Sequence, residues 1–136
     1  MSNIEQTLSI VKPDAVERSL ESEIKKEFIN KGFKITKEKK IQLAKSEAEE
    51  FYKIHETKPF YNDLCAYLSS GPIIVMVLEK EDAVMTNRQL MGATDPKKAE
   101  VGTLRKKFGI SIDKNSVHGS DSLENAKIEI SFFFKD

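Results

Sequence analysis

Cysteine, arginine, tryptophan and long apolar runs are all scarce or missing in this chain of 136 residues. Cys65 is the only cysteine, so an intrachain disulfide is excluded and a reducing compartment, the cytoplasm, is the default expectation. The longest apolar run, residues 73–78, is far too short to span a bilayer. The first residues contain no basic segment followed by an apolar stretch, so no secretory signal is predicted.

An excess of charge of either sign is also missing. Lys+Arg and Asp+Glu both number 22, which gives a formal net charge of zero at pH 7. This balance argues against nucleic acid or a membrane surface as the main partner, although a local group of cations can still hold a small anion. Hydrophobic residues make up 39% and charged residues 32%, which predicts one globular domain over residues 1–136.

The spacing of apolar residues predicts alternating strands and helices. Strands are predicted at 4–11, 33–43 and 73–78, and helices at 20–30, 46–55, 60–68, 82–90 and 121–131. Ser46, with Glu49 three residues later, is the predicted N-cap of the second of these helices. A further short strand is expected at 116–118 or within 128–134, and residues 92–116 are expected to be long, irregular and basic. Spacing alone favours an α+β or α/β fold with one sheet.

The most informative stretch of the chain is NSVHGSDS, residues 115–122. It contains His118, one of only two histidines, and Gly119, which lets the backbone pass close to a ligand. Ser120, Asp121 and Ser122 can each cap the helix that follows, and Asp121 with Glu124 fits a capping box. An imidazole beside a helix start suits a phosphate bound to the ring, whereas the same pattern also fits a loop histidine without a function. The local stretch alone leaves these two interpretations equally supported.

The scarce arginines and one strand-end lysine are candidate phosphate ligands. Arg88 and Arg105 are two of only three arginines, and they flank the glycine-containing irregular segment. The planar fork of arginine grips phosphate well, but a surface ion pair is its usual fate. Lys12 follows an apolar strand, where it either reaches solvent or holds a phosphate. The residues alone favour solvent for Lys12 and slightly favour phosphate for the two arginines.

These features, together with several others, resemble the nucleoside diphosphate kinase family. The motifs occur in the family's order: TLSIVKPDAV at 7–16, YKIH at 52–55, KPFY at 58–61, SGP at 70–72, Arg88 through GATDP at 92–96, GTLR at 102–105, the His118 stretch, and FF at 132–133. Each motif alone is weak, but together they cover nearly the whole chain. The resemblance implies a ferredoxin-like α/β sandwich, in which helices cover a four-stranded antiparallel sheet.

The resemblance also implies an activity and a set of site residues. The activity is the ping-pong transfer of the γ-phosphate of a nucleoside triphosphate, usually ATP, to a nucleoside diphosphate, with the phosphate carried on Nδ1 of His118. The implied catalytic residues are His118, Lys12, Tyr52, Ser120 and Glu129, and the implied nucleotide ligands are Lys12, Phe60, Arg88, Thr94, Arg105 and Asn115. Stacking of the base on Phe60 is blind to base identity, so broad base and sugar tolerance is expected.

Ordinary structural roles fit several of these residues when the family is set aside. Tyr52 reads as a half-buried helix residue, Phe60 as a core aromatic and Glu129 as a solvated helix glutamate. His55 is interpreted as structural. Cys65 and the two histidines lack zinc-like spacing, so no protein-made metal site is predicted; Mg²⁺ is expected on the nucleotide's phosphates.

The expected partners are nucleoside di- and triphosphates and further copies of the chain. The resemblance implies a homohexamer, with a homotetramer as the alternative. Two other functions fit less well. The retained His118, Lys12 and arginines count against a nucleotide-binding regulator without turnover, and Phe60 and Asn115 count against a phosphohistidine carrier. Ser22 and Glu27 stand where many relatives have glycine and arginine, and both lie on the first predicted helix, away from the site.

Overall fold

Four strands form one antiparallel sheet in the computed structural model, which describes residues 4–112 and 114–134, without the side chain of residue 54. The strands are β1 (Ile4–Val11), β2 (Lys34–Ile41), β3 (Ile73–Glu81) and β4 (Val117–Gly119). Their order across the sheet is β2-β3-β1-β4, and every neighbouring pair is antiparallel. The four-stranded antiparallel sheet implied by the resemblance is therefore confirmed.

Helices cover both faces of this sheet. They are α1 (Pro13–Glu17), α2 (Glu21–Asn30), α3 (Lys45–Phe51), α4 (Tyr61–Leu68), α5 (Ala83–Met91), α6 (Leu104–Phe108) and α7 (Leu123–Phe133), with a single 3₁₀ turn at Lys53–His55. None of the helices in the described part of the chain is long and apolar enough to cross a membrane.

Two apolar cores lie on opposite faces of the sheet because successive side chains of a strand point to opposite sides. Leu8 and Ile10 of β1 pack into one core with Leu68 of α4 and Phe133 of α7. The other core contains Val11, and α2, α5 and α6 contribute Ile24, Leu90 and Leu104 among others. Both faces of β1 and β3 are covered, which accounts for the continuous apolar run in β3.

The short strand β4 fixes the position of the histidine stretch. It pairs with β1 in the register Ser9–Gly119, Ile10–His118 and Val11–Val117. Of the two places where a short strand was expected, the first is confirmed, and residues 128–133 belong to α7 instead. His118 is thus anchored to an inner strand of the sheet.

One predicted helix cap is wrong, and of the three candidate caps for the last helix Ser122 is confirmed. The N-cap of α3 is Ala44 and not Ser46, because the carboxylate of Glu47 accepts the backbone N–H of Ala44 at 2.9 Å and starts the helix earlier. The N-cap of α7 is Ser122, whose hydroxyl oxygen accepts the backbone N–H of Asn125 at 3.0 Å. Asp121 accepts a hydrogen bond from the Asn125 side chain instead of capping the helix.

Other differences concern element length. The helix predicted over 46–55 ends at Phe51 and continues as the 3₁₀ turn. The segment 92–116 is irregular for most of its length but contains α6. Thr103 is the N-cap of α6, and its hydroxyl oxygen accepts the backbone N–H of Lys106. The short helix α1 has no counterpart among the predicted elements, and it starts with a proline at its first position.

Candidate active site

His118 lies on β4 with its ring aimed at the last helix. Its Nε2 is 3.0 Å from Oε1 of Glu129 on α7, and both side chains are mostly buried, at 19% and 16% exposed. An ionised carboxylate has only acceptor oxygens, so the Nε2 atom carries the proton in this contact. The other ring nitrogen, Nδ1, then holds a lone pair whenever the imidazole is neutral.

Ser120 extends this contact back into the sheet. Its hydroxyl donates to the same Glu129 oxygen at 2.8 Å, and its oxygen lies 3.3 Å from the backbone nitrogen of Leu8. Ser120 itself is fully buried. The carboxylate of Glu129 is therefore held by two donors, one from the ring and one from a hydroxyl fixed on β1.

An aromatic wall surrounds the imidazole. The ring of Phe51 is 5.4 Å from that of His118, and the ring of Tyr52 is 6.4 Å away. These side chains, with His55, Gly119 and Glu129, line a small cavity of about 60 Å³ beside the histidine. Burial, and next the charge of Glu129, raise the pKa of Tyr52 well above its usual value, so its hydroxyl keeps its proton.

Gly119 has a packing reason to be glycine. A Cβ atom there would lie 2.4 Å from Nδ2 of Asn87 and 2.7 Å from Cε of Met91, both on α5. The ends of the Asn87 and Met91 side chains would have to shift to admit a Cβ atom. The close approach of α5, rather than space for a ligand alone, therefore favours glycine beside the histidine.

Lys12, Asn115 and Thr94 form a chain of contacts. Nζ of Lys12 donates to Oδ1 of Asn115 at 2.9 Å, and Nδ2 of Asn115 donates to the backbone oxygen of Thr94 at 3.3 Å. Lys12 and Asn115 are buried, at 6% and 3% exposed, whereas Thr94 is exposed. Three residues that are far apart in the sequence are thus brought together.

The two arginines differ in their surroundings. Arg105 donates to the backbone oxygens of Gly92 and Val117, both at 3.0 Å, whereas Arg88 is exposed. Burial, followed by the charge of Arg88, lowers the pKa of Arg105 to about 10. Arg105 remains a cation at neutral pH. Because the charge of Arg88 affects the pKa of Arg105, the two guanidinium groups lie near each other.

Phe60 precedes α4 at the surface, 48% exposed, so it is not the core aromatic that the sequence alone favours. It borders a groove of about 250 Å³ lined by Asp63, Leu64, Tyr67 and Lys114. An exposed ring beside an open groove can stack on a flat ligand.

His55 was interpreted as structural, yet it lines the same small cavity as His118. Its ring centroid is 6.2 Å from that of Tyr52 and 6.4 Å from that of Phe60, so it lies between the two aromatics. The sequence signal that could have drawn attention to it is its rarity, since it is the only other histidine.

Comparison with known proteins decides the family. The family model described as nucleoside diphosphate kinase matches residues 5–136. The chain belongs to the nucleoside diphosphate kinase family. Nucleoside diphosphate kinases of Wolinella succinogenes and Campylobacter jejuni are both 56% identical to it, over 131 and 132 residues. These alignments cover 96% and 97% of this chain and 96% of each relative.

Solved nucleoside diphosphate kinases share the fold. The Aquifex aeolicus enzyme superposes with a TM-score of 0.94 at 41% identity, covering 96% of this chain and 95% of its own. The Encephalitozoon cuniculi enzyme gives 0.94 at 37% identity, covering 97% and 90%. The predicted family and fold are confirmed, and the chain is a phosphotransferase that acts between nucleotides.

Among the described residues, no group of three or more histidine, cysteine, aspartate or glutamate side chains could hold a metal ion. Lys12 and Arg105 instead offer cations held by Asn115 and by backbone oxygens, and Phe60 offers an exposed ring. Such groups suit an anionic ligand with a flat ring, which agrees with a nucleotide kinase.

Proposed function

We propose that this kinase works by a ping-pong mechanism in which His118 carries the phosphoryl group between two nucleotides. The observation that carries the proposal is the 3.0 Å contact between His118 Nε2 and Glu129 Oε1. Because that contact holds the proton on Nε2, it supports Nδ1 as the nucleophile.

The reaction has two balanced halves. In the first, the Nδ1 lone pair attacks the γ-phosphorus, the bond to the β,γ-bridging oxygen breaks, and the nucleoside diphosphate leaves with that electron pair. Attack makes the ring cationic, and Glu129 stabilises it through the Nε2 proton. In the second half, a β-phosphate oxygen of another nucleoside diphosphate attacks the same phosphorus, the P–N bond breaks, and the ring regains its lone pair.

Cations and one hydroxyl are assigned to the transferring group. We assign Lys12, Arg88 and Arg105 to the phosphates, since a loose phosphoryl transition state spreads charge over its oxygens and needs positive groups fixed in advance. Lys12 is held by Asn115, and Arg105 by two backbone oxygens, so both are pre-positioned. The raised pKa of Tyr52 keeps its phenol proton available for donation to a phosphate.

The nucleoside is assigned to the other end of the site. We assign the base to the exposed ring of Phe60 and the sugar hydroxyl to Asn115, with Thr94 beside the phosphates. Stacking gives no preference between bases, so purines and pyrimidines, ribose and deoxyribose, are all expected substrates, with ATP as the usual donor.

Mg²⁺ is assigned to the nucleotide. It is a hard cation that prefers phosphate oxygens and water, and it arrives already bound to the triphosphate. The positively charged side chains Lys12, Arg88 and Arg105 suit the phosphates and not the metal, so the residues present fit a nucleotide-held Mg²⁺. When bound, the ion supplies charge neutralisation on the phosphate oxygens.

We further propose a cytoplasmic homohexamer, with a homotetramer as the alternative. Large apolar side chains on the surface support self-association, among them Ile4, Met85, Val101 and Ile128, which are 57%, 60%, 91% and 63% exposed. The lone, buried and unpaired Cys65 is typical of a reducing compartment. Sedimentation velocity would give the subunit number directly.

The test of the mechanism is labelling with γ-³²P-ATP. The wild type should take up acid-labile, base-stable label, as a phosphoramidate does, and should pass it to UDP. His118→Ala should take up none, because its nucleophile is gone. His55→Ala should retain label, which assigns the modified residue in a chain with only two histidines. Acid-stable label, or full labelling of His118→Ala, would contradict the proposal.

A further inference from the structure

Asp14 is a buried carboxylate that the proposed mechanism does not use. It is 5% exposed and is the second residue of α1. The hydroxyl of Tyr67 donates to Oδ1, while the hydroxyl of Ser116, at 2.7 Å, and the guanidinium of Arg18, at 3.0 Å, approach Oδ2. We call Asp14, Arg18, Tyr67 and Ser116 the Asp14 network.

The Asp14 network joins three parts of the fold. Asp14 lies in α1, and Arg18 directly follows that helix. Tyr67 lies in α4, and Ser116 ends the loop that connects α6 with β4. Arg18 and Ser116 also reach the backbone oxygen of Phe108, where that loop begins. Both ends of the loop are therefore tied to one buried carboxylate.

Ser116 needs this support because its backbone is strained. Its φ angle is +73°, in the left-handed region that costs a residue with a side chain about 1–2 kcal/mol. Its hydroxyl is within reach of both Asp14 and Phe108, and its backbone oxygen accepts the N–H of Lys12 at 2.8 Å. The contacts hold Ser116 in a conformation it would otherwise leave.

The residues next to the network are proposed nucleotide ligands. Lys12 lies two residues before Asp14, and Asn115 directly precedes Ser116. The side chains of Lys12 and Asn115 are joined by the 2.9 Å hydrogen bond described above. Tyr67 and Lys114 line the groove beside Phe60. The network thus lies behind both the sugar end and the base end of the proposed site.

We propose that Asp14 is a positioning residue that sets nucleotide affinity by holding Asn115 and the wall of the base groove in place. This inference rests on the proposed function, since it needs Asn115, Phe60 and their groove to bind the nucleoside. Asp14 acts through the loop and does not touch the transferring phosphate. Its loss should weaken nucleotide binding and leave the chemistry of the imidazole intact.

The environment of Tyr67 agrees with this role. Burial, and then its hydrogen bond to Asp14, raise the pKa of Tyr67 far above the usual value, so the hydroxyl stays protonated and keeps donating. The backbone N–H of Asp14 returns a hydrogen bond to the Tyr67 oxygen at 3.0 Å. The link between α1 and α4 is therefore double.

The test compares a nucleotide donor with a donor that has no nucleoside. Asp14→Asn keeps the shape of the side chain but removes its charge and one acceptor. Its kcat/KM with ATP and UDP should fall roughly 10- to 100-fold, the loss expected for hydrogen bonds to a charge, and the fall should lie mostly in KM. Labelling by phosphoramidate, in which the imidazole displaces ammonia, should fall by a clearly smaller factor, because it needs no nucleoside contact and is linked to the network only through the Lys12–Asn115 contact.

The control is Glu17→Gln, which makes the same charge change at an exposed position of α1 and should alter neither rate. Equal losses with ATP and phosphoramidate would overturn the inference, because they would mean general damage to the site. No loss with ATP would overturn it as well. If Asp14→Asn does not fold, Tyr67→Phe and Ser116→Ala each remove one network hydroxyl, and they should show the same split at about 3- to 10-fold.

Failure of the inference can be told from failure of the proposed function. A wild-type protein that takes up no histidine label from ATP would refute the function itself. A labelled wild type whose Asp14 variants keep normal nucleotide KM would refute only the positioning role. Rescue of Ser116 geometry offers a further check: Ser116→Gly adopts the positive φ freely, so it should lose less affinity than Ser116→Ala.

Discussion

Replacing Glu129 by glutamine tests how much of the rate depends on the charge behind the imidazole. Glutamine has nearly the same size as glutamate. Its amide oxygen can still accept from His118 Nε2 and the Ser120 hydroxyl, which lie 3.0 and 2.8 Å from Oε1 of Glu129 in the wild type. The arrangement should therefore survive while the negative charge disappears. What changes is the stabilisation of the ring as it becomes cationic during attack.

The size of the loss follows from the surroundings of the pair. Both side chains are less than one-fifth exposed, so solvent screens their interaction only in part. A hydrogen bond to a charged group contributes about 1.5–3 kcal/mol, which corresponds to roughly a 10- to 150-fold slower phosphorylation step. Nucleotide affinity should barely move, because Glu129 contacts the ring and not the proposed nucleotide ligands.

The assay is single-turnover phosphorylation by γ-³²P-ATP, followed by rapid quenching over a range of ATP concentrations. The maximal rate reports the ring chemistry, and the half-saturating concentration reports binding. Glu124→Gln, on the exposed side of the same helix, is the matched control and should behave as wild type. A Glu129→Gln rate within twofold of wild type would refute the stabilising role of the carboxylate.

Three further outcomes are expected. Phe60→Ala should weaken ADP, GDP and UDP by similar factors, roughly 5- to 150-fold in binding titrations, and a loss confined to one base would contradict simple stacking. Gly119→Ala should lower the free energy of unfolding by about 1–3 kcal/mol in urea, because its Cβ would meet Asn87. Gly71→Ala should leave the free energy of unfolding unchanged, because the nearest atom to its Cβ would be 3.6 Å away. His55→Gln should make the free energy of unfolding depend less on pH below neutrality, which calorimetry between pH 5 and 7 would measure.

The sign of the His55 effect follows from linkage. Burial, and next the charge of Lys58, lower its pKa in the folded protein below the ordinary 6.5. The unfolded chain therefore binds a proton more readily, and stability falls as the pH drops through 6.5 toward the folded pKa. A His55→Gln variant with the wild-type pH dependence would show that this group does not contribute.

Regular elements with a clear apolar period could be predicted from the sequence. The strand Ile4–Val11 has the predicted bounds, and the central position of β3 follows from its uninterrupted apolar residues. The three residues of β4 are too few to show a period, so only its neighbourhood was predicted. Ser46 is not a cap because Glu47 accepts the N–H of Ala44 and the helix begins earlier. Among the three candidate caps of α7, the choice of Ser122 depends on backbone angles that no local pattern contains.

Contacts between distant segments could not be predicted from residue types alone. The pairing of Lys12 with Asn115 joins residues 103 positions apart, and the contact of Asp14 with Ser116 joins residues 102 apart. Family resemblance named Lys12 and Asn115 as ligands, but nothing in the sequence pattern drew attention to Asp14. Such carboxylates become visible only when the fold shows what surrounds them.

Arg105 gives the long segment between α5 and β4 an unusual mechanical character. Its guanidinium donates to the backbone oxygens of Gly92, 13 residues before it, and Val117, 12 residues after it. One side chain near the middle of the segment therefore binds both of its ends. The segment is thereby divided into two shorter stretches, one before Arg105 that contains Thr94 and one after it that contains Asn115. Because one guanidinium binds both ends of the segment, loss of that side chain would release both ends at once.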